Sequence, residues 1–174
     1  MSFSLSLRAG LGQPAYKALG YYPSPISLMP HDLLLLNLIL AAYLAGVCWV
    51  VQLVVYPALM LVSKPDFAAY HAAHTRRMGW VVAAPMVLEL GLAAWLAWAA
   101  YPTWGAGRAL GQLALAVVVW LATFFISVPF HNRLEIGGYN YIAIDGLTRT
   151  NWLRTLAWTA RVVLLAVVSS ELVR

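Results

Sequence analysis

Four long apolar stretches constrain this chain more than any other feature. A helix that crosses a hydrocarbon core of about 30 Å needs about 20 predominantly apolar residues. Stretches of that kind run over 33–62, 80–101, 109–130 and 152–168. Backbone groups in lipid must be hydrogen-bonded within the segment, so these spans are expected to be helices. The expected fold is therefore an all-α integral membrane four-helix bundle over 31–174. It is preceded by an irregular arm, 1–30, that carries Pro14, Pro23, Pro25 and Pro30 among Tyr16, Tyr21 and Tyr22. No long apolar core precedes a small-residue cleavage site there, so the arm does not read as a signal peptide; it reads either as a loose tail or as a strap that packs on a partner subunit.

Composition supports the same class. A soluble domain carries about 25% charged residues, whereas this chain has 10%, with 63% hydrophobic residues. That excludes an ordinary soluble protein, a disordered tail and a typical nucleic-acid binder. The net charge of +5 suits loops facing anionic headgroups, and no nucleic-acid partner is expected. Lys64, Arg76, Arg77, Arg133, Arg149 and Arg154 lie near the two loops between spans, and Arg8, Lys17, Arg108 and Arg174 near the opposite ends. This bias places the termini on the periplasmic side of a bacterial inner membrane. Trp80, Tyr101, Trp104 and Trp152 fall at span ends, where interfacial aromatics belong. Cys48 is the single cysteine, so no intrachain disulfide forms.

Ser63-Lys64-Pro65-Asp66 carries a capping residue, a first-turn proline and an acid. It marks a helix start ahead of the second span, with a bend expected at Gly79. A shift of 72 residues superposes Pro57 on Pro129, Phe67 on Tyr139, Arg77 on Arg149, Trp80 on Trp152 and Glu89 on Arg161. This pattern is that of two parallel two-helix repeats about an axis along the membrane normal.

Polar residues inside the spans carry the functional reading. Gln52 lies ten residues before Val62, Glu89 nine after Trp80 and Arg161 nine after Trp152. At a rise of about 1.5 Å per residue each is about 14–15 Å deep. A charge there costs about 2.5–3.5 kcal/mol on insertion scales, so such groups face inward and pair. A Glu89–Arg161 ion pair with Gln52 beside it is the expected floor of a cytoplasm-facing funnel. Asn151, Arg154, Trp158 and Arg161 share one helical face. His71 precedes Glu89 by 18 residues, about five turns. His74, His131, Asn132 and Arg133 are expected at the mouth. A buried Glu–Arg pair is equally able to hold four helices in register without chemistry.

His71-x-x-His74 with His131 has three imidazoles but no evident fourth ligand for zinc or copper. The glutamates are too few for a di-iron site, and an axial haem histidine would sit at the membrane edge. No metal is assigned, and the cofactor stays unknown. No phosphate loop, dinucleotide glycine pattern or nucleophile elbow is present.

The stretches Phe67-Ala-Ala-Tyr-His71-Ala-Ala-His74-Thr-Arg-Arg77, Pro85-Met-Val-Leu-Glu89, Val128-Pro-Phe-His131-Asn-Arg-Leu134 and Asn151-Trp-Leu-Arg154-Thr-Leu-Ala-Trp158-Thr-Ala-Arg161 resemble a family of small bacterial four-helix integral membrane proteins. The Pro-x-His-Asn-Arg-Leu segment followed by Asn-Trp-x-Arg-Thr is more distantly similar to the anthrone oxygenase-like membrane family. That resemblance implies a cofactor-independent oxidation and maps the family's motif onto Asn132, Trp152, Arg154 and Trp158.

The expected function is binding of a small apolar or anionic ligand in the polar intramembrane pocket, with an oxygenase-like or other redox activity. Arg154 and Arg161 would stabilise a developing anion, and His131 or His71 would move a proton. Gln52, His71, His74, Glu89, Asn132, Asn151 and Trp158 would line the site. The alternative is a small accessory subunit of a larger membrane complex, docked through the N-terminal arm. A transporter is disfavoured, because four spans leave little room for a path.

Overall fold

In the computed structural model, residues 31–172 are described, and the N-terminal arm lies outside them. Four helices are long and apolar enough to cross a membrane, and no strand occurs among the described residues. Helix α1 comprises His31–Val50, a π-helical segment Val51–Val55 and a closing turn Tyr56–Leu59. Helix α2 is Phe67–Ala99, α3 comprises Tyr101–Ala122, a π segment Thr123–Ser127 and Val128–Gly137, and α4 is Tyr141–Leu172. Helix α1 packs on α2 and α4, and α3 packs on the same two. The arrangement is a four-cornered all-α bundle with α1 and α3 on opposite corners.

The surface is inverted relative to a soluble protein. Ile39, Leu53, Trp98 and Phe125 are exposed, while Asn37, Gln52, His71, Glu89, Gln112, Asn151 and Arg161 are buried. In water such a surface would be a liability. Against acyl chains it is the stable arrangement, and the buried polar side chains bond across helices.

Both π segments precede a proline. Pro57 and Pro129 have no N–H to give the carbonyl four residues earlier, and the chain responds with one residue of extra length. The Tyr56 N–H bonds the Val51 carbonyl, and the Val128 N–H bonds the Thr123 carbonyl. Val51 and Thr123 are 72 residues apart, the shift that superposes the two halves. Two superposed pairs also touch each other: the rings of Phe67 and Tyr139 meet edge to face at 5.4 Å, and Glu89 pairs with Arg161. Contacts between mates of this kind are those that a two-fold axis between parallel repeats would produce.

The helices outrun the expected spans. Residues 131–151 are almost wholly helical, and only 138–140 connect α3 to α4. Gly138 has φ +70°, a conformation that glycine adopts without steric cost. Asn140 then caps α4, its Oδ1 accepting from the Ala143 N–H at 3.0 Å. Gly146 is required by a close approach, since a Cβ there would lie 2.5 Å from the Phe130 ring. Helix α2 runs unbroken through Gly79 and Pro85 rather than ending at either. Gly105, with φ +74°, breaks the helix after Trp104, whose side chain is buried against Leu96, Leu165 and Val168.

Candidate functional site

Helix α4 turns Asn151, Arg154, Trp158 and Arg161 into the bundle, but its two arginines enter different environments. Arg161 is 0% exposed and meets one polar side chain from each of the other three helices. Its Nη1 donates to Glu89 of α2. Its Nη2 donates to Asn37 Oδ1 of α1 at 3.1 Å and to Gln112 Oε1 of α3 at 2.9 Å, and its Nε donates to the Gln112 carbonyl at 3.0 Å. Gln112 Nε2 donates onward to the Ala93 carbonyl at 2.7 Å. Trp158 Nε1 donates to Glu89 Oε1 at 3.3 Å. Every nitrogen of this guanidinium is bonded, as a buried charge demands.

Gln52 is not part of this cluster. The place expected for it is taken by Asn37 and Gln112. Helices α1 and α4 run antiparallel in a register that sets Asn37 beside Arg161 and Gln52 beside Asn151. Gln52 Nε2 donates to the Thr148 carbonyl at 3.0 Å, and its Oε1 accepts from Asn151 Nδ2 at 3.0 Å. Asn151 precedes Arg161 by ten residues, about 15 Å along the helix.

A second network begins there. Arg154 Nη2 donates to Asn151 Oδ1 at 2.6 Å and to the Tyr56 hydroxyl at 3.0 Å. Arginine only donates. The Tyr56 oxygen therefore accepts from it, and the Tyr56 hydroxyl is also hydrogen-bonded to His131 Nε2 at 3.2 Å. His131 Nδ1 is in turn hydrogen-bonded to His71 Nε2 at 3.0 Å. The chain Gln52–Asn151–Arg154–Tyr56–His131–His71 joins all four helices, and its last atom, His71 Nδ1, is buried with no partner. Phe67 stacks on the His71 ring at 5.7 Å. The two π segments bring Tyr56 and His131 together, because each residue lies just beyond one. One inserted residue rotates everything after it by about 100°, and π-bulges recur at functional sites for this reason.

Beside this chain lies a cavity of about 130 Å³, walled by apolar side chains including Leu44, Val47, Val51, Met78 and Met86. Its polar lining comes from Tyr56, His74, Thr75, Thr123, His131 and Arg154, and Trp158 stands between it and the Arg161 cluster. Arg154 is half-buried, forms no ion pair among the described residues, and its buried Nε has no partner.

Of the remaining sequence-stated candidates, His74 lines the cavity with its ring 6.4 Å from that of His131. Asn132 is exposed and stands outside both networks. The histidines do not form a ligand shell, since His71 and His131 hydrogen-bond each other. Among the described residues no group of three His, Cys, Asp or Glu is arranged to hold a metal ion. At the end of the bundle where 60–66 joins α1 to α2 and 138–140 joins α3 to α4 (the hairpin end), Leu59, Phe67, Leu134, Ile144 and Leu147 pack together between the helices.

Asn37, Tyr56 and Gln112 were not among the expected site residues. Asn37 and Gln112 were each legible as a lone amide in an apolar run. Tyr56 had no such signal, because a π insertion breaks helical periodicity. No family model, curated protein or solved structure matches this chain.

Proposed function

We propose that this integral membrane protein binds a single-ring aromatic molecule with an acidic oxygen, of the phenol or quinol type, in the cavity beside Arg154. The observation that carries the reading is a half-buried guanidinium without a carboxylate, opening on an apolar cavity. A charge in such a place is stabilised by an anion, and a hydrogen bond to a charged group contributes about 1.5–3 kcal/mol. Size selects the ring: a dry cavity of about 150 Å³ accepts benzene, and this one is about 130 Å³.

The chemistry follows from the hydrogen-bond chain. Arg154 would hold the phenolate oxygen, and Trp158 would present an aromatic face to the ring. With His131 protonated at Nδ1, Tyr56 would take the ligand's proton while its own proton passes to His131 Nε2, and the His131 Nδ1 proton would move to His71 Nε2. Deprotonation with the oxyanion held is also the opening step of an anthrone-type oxidation, so the sequence resemblance supports this direction of chemistry. Three fused rings exceed the cavity's volume, and the smaller phenol is the better fit. Arg161 and Glu89 have no part in turnover on this reading and fix the helices in register.

Calorimetric titration of the protein in lipid nanodiscs tests the reading. 4-Nitrophenol is expected to bind, and 4-nitroanisole, which lacks the acidic oxygen, is not. Arg154→Gln is expected to abolish the difference. Equal binding of the two probes by the unmodified protein would remove the basis for the assignment.

A further inference from the structure

Packed side chains flank the cavity along the bundle axis in both directions. On the hairpin side stands the Phe67–Leu134–Ile144–Leu147 cluster. On the other side stands Trp158, bonded to Glu89 above the fully buried Arg161. Sideways, between α1 and α2, the wall is thin. An apolar groove of about 520 Å³ runs along the outside of these two helices, and Val47, Val51 and Met78 line both the groove and the cavity. Val47 and Met78 are half-buried and Val51 is buried, so these three side chains form a wall common to the groove and the cavity.

Two further features keep the groove open. Gly46 lies in it, and a Cβ there would meet no atom within 4 Å, so the missing side chain leaves free space. At one end of the groove Tyr43 reaches across, its hydroxyl donating to the Val81 carbonyl at 3.2 Å. This clasp ties α1 to α2 without filling the gap beyond it. The other lining residues, such as Ala42, Val50 and Val55, offer no polar group.

We infer that the ligand enters from the hydrocarbon layer between α1 and α2, and that it is an amphiphile: an acidic ring seated at Arg154, with an alkyl or prenyl tail left in the α1–α2 groove. The inference rests on the binding reading above and extends it to the ligand's class. The volumes argue for it, because the cavity holds about one ring while the adjoining groove is four times larger. An apolar tail gains nothing from leaving lipid for the bundle interior, but it loses nothing by lying in a lipid-facing groove. A lateral entrance also spares the charged network from opening to water.

The test uses the full chain in nanodiscs and a 4-nitrophenol that bears a decyl chain ending in a photoreactive diazirine. Crosslinks that excess 4-nitrophenol suppresses are expected on 42–55 of α1 and 78–81 of α2. The variant Gly46→Phe fills the groove where no neighbour is displaced. It is expected to weaken the tailed probe at least tenfold and leave plain 4-nitrophenol unchanged. Arg154→Gln is expected to weaken both. Competed crosslinks on the outer faces of α3 and α4, or a Gly46→Phe variant that keeps full affinity for the tailed probe, would overturn the lateral entrance while the phenol site stands. Failure of the unmodified protein to bind either probe would overturn both.

Discussion

Arg154 and Arg161 stand seven residues apart on one face of one helix, yet one guanidinium is enclosed and the other is open. Arg161 has a carboxylate, two amide oxygens and a backbone carbonyl, drawn from all three neighbouring helices. Arg154 has a hydroxyl, an amide oxygen and a cavity. The difference teaches that intramembrane charge alone does not mark a site. A guanidinium paired with a carboxylate and bonded at each of its nitrogens is a fastener. A charge with capacity left over, beside empty apolar volume, is a receptor.

The strongest way to break this comparison is to cut the fastener on one side. Arg161→Met leaves Glu89 buried without its cation and is expected to cost about 3–5 kcal/mol, as loss of one member of a buried pair does. The double variant Glu89→Leu/Arg161→Met is expected to recover most of that, because no uncompensated charge remains. Unfolding in mixed micelles followed by circular dichroism reads both. If the single variant unfolds like the unmodified protein, Arg161 does not hold the bundle together.

Arg154→Gln is expected to behave in the opposite way. Its stability should fall by only about 1 kcal/mol, the net worth of an ordinary hydrogen bond. Its affinity for 4-nitrophenol should fall about ten- to a hundredfold, which is the loss of one charge-assisted bond at about 1.4 kcal/mol per decade. A large stability loss with unchanged affinity would make Arg154 a second fastener.

Tyr56→Phe sharpens the contrast within the open network. It removes the hydroxyl between Arg154 and His131 and is expected to cost about 1 kcal/mol. The His131 ring nitrogen resonances should move in the variant, and a spectrum identical to that of the unmodified protein would show that the chain is not continuous. Smallest of all is Asn132→Ala. The side chain is exposed and outside both networks, so stability should stay within about 0.5 kcal/mol and 4-nitrophenol affinity should not change. A tenfold loss of affinity would bring Asn132 into the site.

Much of this was legible in the residues. Hydropathy marked the four helices, and the rule that buried charges pair joined Glu89 to Arg161 across two of them. The shift of 72 residues superposed Pro57 on Pro129, the two prolines that the π segments precede. The partners of that pair were harder to read. Depth counted from Val62, Trp80 and Trp152 put Gln52 at the level of Arg161, but α4 begins at Tyr141 and α3 ends at Gly137. The count therefore used span ends that are not helix ends. Gly138 and Asn140, a helix stop followed by a cap, already contained the correction.

By itself the sequence determined the class of molecule, the helices and the residues too polar to face lipid. Those properties are set by composition and by periodicity within one segment. Only the tertiary structure decided which arginine is enclosed and which is open. That choice depends on the antiparallel register of α1 against α4 and on the rotation that each π insertion imparts. Both are settled by side chains that meet across helices, far apart in the chain.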